Sequence, residues 1–195
     1  MANTANNVTA GKPRIAGSIY RGTTSATLPT TADGTISTTD FKALGYISDD
    51  GVSNNNSPET EEVKAWGGNI VLSTLTGKED KFTFKMIEAL NTDVLKTVYG
   101  DSNVSGDLTN GITVHAKAEE DVSHSYIIDM VLKNNVLKRI VIPNATVSEL
   151  SEITYKDNDV VGYQITLTAV PDSNGDTHRE YIKQGASGGT GTTGD

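Results

Sequence analysis

Residues 69–88 read NIVLSTLTGKEDKFTFKMIE, and the second half of this stretch decides the fold. From residue 82 every second side chain is large and apolar, in the order Phe82, Phe84 and Met86. Successive side chains of a β-strand point to opposite faces, so these three share one face while polar residues occupy most of the other. The alternation predicts a strand with one buried face.

The residues before this strand predict a further pair of strands. Residues 62–66 alternate between polar and apolar positions, the glycines Gly67 and Gly68 break the pattern, and residues 69–76 are again β-prone. Two strands joined by a glycine-containing turn fit this order best. Trp66 lies beside the glycines, where we expect it to pack rather than to serve as a sugar platform.

The residues after the strand predict one short helix. Asn91 can cap a helix start, apolar residues follow at helical spacing, and Gly100 is a typical stop. From Ile112 onward, β-prone runs are separated by Asn, Asp, Gly or Pro, and residues 133–135 (Lys-Asn-Asn) form a natural hairpin turn. The fold class is therefore mostly β, with one short α-helix and long loops.

The chain is expected to be one domain with unstructured ends. Residues 1–13 are small and polar and predict a flexible N-terminal arm, and residues 185–195 predict a disordered Gly/Thr-rich tail. Between them, residues 14–184 form the domain, with long polar loops at about 22–40 and 48–60. Because most connections are about six residues long, such loops tend to be functional or disordered.

Composition excludes several classes of function. The formal net charge is -9 at pH 7, which disfavours stable binding to nucleic acid or to an anionic membrane. The chain has no cysteine, so thiolate chemistry, disulfides and cysteine-bound zinc are excluded. It shows neither a signal-peptide pattern nor an apolar run of membrane-spanning length, and we expect a soluble product that is not exported by a signal peptide.

No stretch of the chain has the pattern of a catalytic, metal or cofactor site. His115, His124 and His178 do not have the spacing of a metal motif. The acidic run at residues 119–121 is typical of a solvated loop face, although it could also line a pore or bind a cation. We expect no cofactor and no enzymatic activity.

One segment imitates a calcium loop. Asp172, Asn174 and Asp176 match its first ligands, but Thr177 stands where the loop requires glycine and Lys183 where it requires glutamate. A plain turn is the favoured interpretation.

Residues 141–182, VIPNATVSELSEITYKDNDVVGYQITLTAVPDSNGDTHREYI, resemble the C-terminal part of major tail tube proteins of long, non-contractile-tailed (siphovirus-type) bacteriophages. The order of the earlier elements is similar too: the Trp66-Gly67-Gly68 element precedes a strand pair, followed by a short helix that ends like residues 98–100. The resemblance spans about residues 14–182.

The resemblance implies the fold, a β-sandwich or barrel with one short flanking α-helix and long loops. It also implies a structural virion protein made in the bacterial cytoplasm. Six copies would form a ring, and stacked rings would form the tube that conducts phage DNA without binding it specifically. It also implies tape-measure, tail terminator and tail tip proteins as partners, besides the chain itself. A tube subunit of this kind has no membrane partner.

The residues expected to carry self-assembly lie in the polar loop and in the strands that follow it. Ordering such a loop is costly in a monomer, and a neighbouring copy can compensate for that cost. The candidates are Ser48, Asp49, Asp50, Asn54, Pro58, Glu59, Ile70, Leu72, Phe82 and Phe84.

Three other functions stay open from sequence alone. A capsid-decoration or head-tail joining protein would also be acidic and β-rich, and a secretion-system tube protein would share the ring architecture. A carbohydrate-binding sandwich would need a cluster of exposed aromatic residues, yet aromatic residues make up only 6% of the chain.

Overall fold

A computed structural model describes residues 3–14, 18–117 and 122–186 of the chain. Within these ranges the chain forms one α-helix and eleven strands, which confirms the mostly β prediction. The strands are β1 (Lys12–Pro13), β2 (Ile19–Thr23), β3 (Phe41–Ala43), β4 (Ile47–Lys64), β5 (Ile70–Met86), β6 (Val104–Asp107), β7 (Gly111–Val114), β8 (His124–Leu132), β9 (Val136–Leu150), β10 (Tyr163–Ala169) and β11 (Arg179–Gln184). The helix α1 is Thr92–Tyr99, and short 3-10 turns are found at Ala5–Asn7, Asp101–Asn103 and Lys133–Asn135.

Nine strands form one antiparallel sheet with the path β3-β2-β8-β9-β10-β5-β4. β1 pairs with β8, β11 pairs with β9, and β6 and β7 form a separate pair. Among the described strands, the path ends at β3 on one side and β4 on the other, so the sheet does not close into a barrel. A sandwich-like arrangement results, because α1 and β6 contribute side chains to the core that covers one sheet face.

The long strand β9 lies at the centre of the sheet. One of its edges pairs with β8, and the other pairs first with β11 and then with β10. The predicted turn between β8 and β9 is confirmed: Asn134 and Asn135 have φ angles of 61° and 59°. Asparagine tolerates this left-handed region better than most residues, so the sequence can make this connection.

The strand that decides the fold behaves as its alternation predicts. Phe82, Phe84 and Met86 are buried in β5, where they join a core with Ile165 and Leu167 of the neighbouring β10. The helix is also confirmed, since the Asn91 side chain accepts a hydrogen bond from the Asp93 backbone N–H and Gly100 follows the last turn. Burial of apolar area is the main stabilising term in such a core.

One predicted unstructured segment differs from expectation. Residues 48–60 were expected to be a loop, but they belong to the 18-residue strand β4, which pairs with β5 at Ile47 and again, after an irregularity, from Val52 to Lys64. Their sequence lacks an apolar alternation because most of this strand has solvent on both faces, so no position has to be apolar. The backbone hydrogen bonds to β5 are what hold the segment extended.

The predicted flexible N-terminal arm at residues 1–13 contacts the sheet at two places. Lys12 and Pro13 pair with β8, and the Lys133 N–H donates to Thr9 Oγ1. Residues 1–2 and most of the predicted tail at 185–195, namely residues 187–195, lie outside the described residues.

The long connection between β2 and β3 is held by a buried ion pair. Arg139 donates from Nε and Nη2 to the two carboxylate oxygens of Asp129, at 2.6 and 2.7 Å. Its Nη1 donates to the backbone oxygens of Thr31 and Gly34 at 3.0 and 2.8 Å. Arg14 adds a longer contact to Asp129 at 3.3 Å. The Arg139 guanidinium therefore connects the centre of the sheet to the β2–β3 connection, which contains no strand and so makes no strand pairing of its own.

Replacing Arg139 with Met should lower the free energy of unfolding by about 3–5 kcal/mol, because it removes both short hydrogen bonds from the buried Asp129 carboxylate. Urea unfolding followed by circular dichroism measures this difference. The control is Lys138→Met, which removes a partly exposed pair with Glu180 and should cost at most about 1 kcal/mol. Equal losses in the two variants would contradict the assigned role of Arg139.

Candidate functional site

The outer part of the β4–β5 hairpin leaves the sheet. β10 pairs with β5 only from Lys81 to Met86, so the hairpin beyond this point has no third strand. Every residue from 57 to 76 is exposed. We call residues 57–76 the ribbon.

The tip of the ribbon is a glycine turn at residues 65–69. The Ala65 N–H donates to the Asn69 oxygen at 2.8 Å, and the Gly68 N–H donates to the Ala65 oxygen at 2.9 Å. Gly67 and Gly68 have φ angles of 107° and 91°, which side chains with a Cβ rarely adopt. The turn presents Trp66 to solvent, and the relative exposure of this residue is 106%. The expectation that Trp66 packs within the domain is therefore wrong.

Large apolar side chains lie exposed on both faces of the ribbon. Val63 and Leu72 form a cross-strand pair, while Leu75, opposite Thr60, points to the other face. Together with the tip residue, the exposed set is Val63, Trp66, Ile70, Val71, Leu72 and Leu75. Soluble monomers rarely leave large contiguous apolar patches uncovered, so both faces of the ribbon have the character of contact surfaces.

The two edges of the ribbon differ in chemistry. β4 carries Pro58, Glu59, Glu61 and Glu62, and proline and charge are the features that protect an edge strand from unwanted pairing. On β5, residues 70–76 read IVLSTLT and contain no charged residue. The β5 edge at residues 70–76 is therefore the open and unprotected one.

The root of the ribbon is anchored by a buried carboxylate. Asp80 is fully buried and accepts hydrogen bonds from Asn54 Nδ2 at 2.7 Å and Thr177 Oγ1 at 2.6 Å. His178 Nδ1 lies 2.5 Å from the second carboxylate oxygen, and since a carboxylate only accepts, this nitrogen carries the proton. The His178 ring also packs edge-on against Phe82, with ring centroids 5.3 Å apart. Asp80 thus connects β4, β5 and the segment that leads into β11.

Burial of Asp80 disfavours its charged form, but the hydrogen bonds from Thr177, Asn54 and His178 outweigh burial and hold its pKa below the usual value. A carboxyl with a depressed pKa stabilises the fold above its unfolded-state value of about 3.9, and the contribution is lost as pH falls through the folded-state pKa. The hydrogen bonds to the charged Asp80 carboxylate therefore contribute fully at neutral pH and weaken only in acid.

The structure places the predicted assembly residues in three regions. Pro58, Glu59, Ile70 and Leu72 lie on the ribbon, and Asn54 lies at its root. Ser48, Asp49 and Asp50 lie at the opposite end of β4, where the Ser48 hydroxyl donates to the two carboxylates. Phe82 and Phe84 are core residues, and their burial leaves no side-chain surface for another copy.

Sequence reasoning missed the tip and the anchor. The sequence did contain a signal for the tip. Gly67 and Gly68 separate a polar run from the uncharged β-prone run that follows them. The anchor had no signal, since Asp80 and His178 are separated by 98 residues in sequence.

The other polar clusters hold the fold together. Arg21 donates to both Asp101 oxygens at 2.9 Å, and His124 Nε2 lies 2.6 Å from its guanidinium. In the imitation calcium loop, Asp172 accepts from the Asn174 and Asp176 N–H groups, which makes a turn. Among residues 3–14, 18–117 and 122–186, no group of three His, Asp or Glu side chains could hold a metal ion.

Replacing Asp80 with Asn should lower the free energy of unfolding by about 2 kcal/mol at pH 6, because the hydrogen bonds to a charged acceptor are lost. Urea unfolding at pH values from 6 to 2 measures the difference between the two chains. The difference should begin to shrink below about pH 4, where the carboxylate of the unfolded chain takes up its proton, and should be lost as pH falls further through the lower folded-state pKa of Asp80. A difference in the free energy of unfolding that stays constant down to pH 2 would contradict the role of the charged Asp80 carboxylate in holding the root of the ribbon.

Comparison with known proteins adds a family and two distant structures. The family model described as phage tail tube protein matches residues 1–189. The cap of the anti-feeding prophage tube is 14% identical, with a TM-score of 0.44, over 94% of this chain and 100% of that one. A sheath/tube terminator of an extracellular contractile injection system is 13% identical, with a TM-score of 0.41, over 88% and 96%. These TM-scores are too low to carry an argument.

Two further findings bear on classification. No curated protein matches the chain. In the part of the chain that the structure describes, no helix is both long and apolar enough to cross a membrane. The family match covers nearly the whole sequence. The chain belongs to the phage tail tube protein family.

Proposed function

We propose that this chain assembles with copies of itself into the stacked, hexameric rings of a phage tail tube, and that the ribbon makes the contacts between copies. The family gives a structural role in the tail. The number of six and the stacking follow from the resemblance to tube proteins of non-contractile tails. The ribbon is the part of this chain whose chemistry requires a neighbour.

One observation carries the proposal: twenty consecutive residues, 57–76, are exposed in a two-stranded ribbon that nothing else in the described chain supports. An isolated hairpin is marginally stable in water at best. Six large apolar side chains add to the cost of leaving the ribbon in solvent. Contact with another copy would cover these side chains and order the ribbon.

The unprotected edge indicates how a neighbour could bind. The free N–H and C=O groups of residues 70–76 can pair with a strand from another copy, and no charge in that segment opposes the approach. A contact between unlike surfaces propagates into a ring or a filament. An open sheet that ends at β3 and β4 suits such repetition.

The charge of the chain fits a conduit. A net charge of -9 gives no field that attracts phosphates, so DNA would pass through the channel without being held by salt-dependent contacts. Tape-measure, terminator and tip proteins are the further partners proposed, as the resemblance implies. The site of action is the virion tail.

Shortening the ribbon tests the proposal. Glu59 and Gly77 face each other in the ladder, so replacing residues 60–76 with Asn-Gly joins them through a two-residue hairpin turn. The core is untouched, and the melting temperature should stay within a few degrees of the original. Sedimentation velocity at rising concentration should show that the original chain polymerises and that the shortened chain does not.

The control is Ile182→Ser, which removes an exposed apolar side chain from β11, outside the ribbon. It should polymerise like the original chain. Polymerisation of the shortened chain at the original concentration would overturn the role of the ribbon. Closed single rings from the original chain would instead favour the head-tail joining or secretion-type function.

A further inference from the structure

A second exposed apolar surface lies where β5 ends. Residues 87–91, the β6–β7 turn and the segment before β10 enclose an open cleft of about 650 Å³. Its apolar lining consists of Ile87, Ala89, Leu90, Leu108, Val160 and Val161. Leu90, Leu108 and Val160 are 67%, 66% and 57% exposed, so the cleft is open to a partner. We call it the β5-end cleft.

One wall of the cleft is held by two hydrogen bonds. Glu88 Oε1 accepts from the Tyr46 N–H at 2.9 Å, and Glu88 Oε2 accepts from Asn91 Nδ2 at 3.1 Å. Asn91 in turn caps the start of α1. A surface held in this way loses little conformational freedom when a ligand binds, which favours affinity.

The ribbon tip has the complementary chemistry. Trp66 is fully exposed on a turn fixed by two backbone hydrogen bonds, and Ile70 lies just after it. Tryptophan is among the residues that most often dominate binding energy when they fill a pocket at the centre of an interface. The tip is therefore a preformed apolar protrusion, and the same chain carries an apolar cleft.

The two surfaces lie at opposite ends of one strand. β5 runs for 17 residues from Ile70, next to the tip, to Met86, next to the cleft. At about 3.3 Å per residue, this places them on the order of 55 Å apart. A chain cannot place its own tip in its own cleft, but a second copy displaced along the strand can, and each copy then offers a free tip and a free cleft at its two ends.

We propose that the Trp66 tip of each copy seats in the β5-end cleft of another copy, which joins copies head to tail along the direction of β5. This inference rests on the proposed self-assembly and names the surface that receives the ribbon. A single tip covers far less area than the roughly 1,200 Å² that a stable interface needs, so the contact holds when a whole ring of copies presents it together.

The absence of cysteine from the chain allows a direct test. Ala65→Cys places a thiol beside the intact Trp66, and Val160→Cys places one at the cleft rim. The two variants are mixed, allowed to polymerise, and oxidised. A disulfide-linked dimer should form in the mixture and should be at least tenfold less abundant in either variant alone. The matched control pairs Ala65→Cys with Ile182→Cys, which should give no more dimer than the single variants.

A second variant measures the contribution of the Trp66 side chain. Trp66→Ala removes a fully exposed side chain, so the melting temperature should not change, while the concentration needed for polymerisation should rise at least tenfold. Tubes that form without the Ala65–Val160 cross-link, or that form equally well without Trp66, would overturn the cleft assignment and leave the self-assembly proposal intact. If the original chain forms no polymer, both proposals fail.

Discussion

A two-stranded ribbon has no interior, so it cannot bury its own side chains. β4 and β5 continue well past the last residue that β10 covers, and from that point every apolar side chain on either strand faces water. A chain that kept this ribbon in isolation would carry a cost in apolar exposure and in backbone order with no compensation. The rest of the molecule can be understood as a platform that holds the ribbon away from the sheet in a fixed direction.

Two buried carboxylates organise this platform. Asp129 connects the centre of the sheet to the long β2–β3 connection through Arg139, and Asp80 ties both ribbon strands to the segment before β11. Each is bonded on both oxygens, which is what a charge requires when it is removed from water. Of the two, Asp80 lies where the ribbon leaves the sheet, and its hydrogen bonds to Asn54 and Thr177 hold the two strands in place there.

The sequence predicted those parts of the fold in which one face is buried. The alternation of Phe82, Phe84 and Met86, the helix after Asn91 and the Asn134-Asn135 turn are local rules that tertiary structure did not override. Residues 48–60 were predicted to be a loop because a strand with solvent on both faces has no alternation of apolar and polar residues to detect. Trp66 was expected to pack, and only the direction of the ribbon shows that no part of the described chain reaches it. The anchor at Asp80 and the β5-end cleft bring together residues far apart in sequence, which no local pattern encodes.

The central claim is that copies of this chain cover one another's ribbons. Cryo-electron microscopy of the unmodified protein, polymerised at high concentration, tests this most directly. The account predicts hollow tubes with a regular axial repeat, in which residues 57–76 of every copy are ordered against a neighbouring copy. Tubes or rings in which these residues remain exposed to solvent would contradict it.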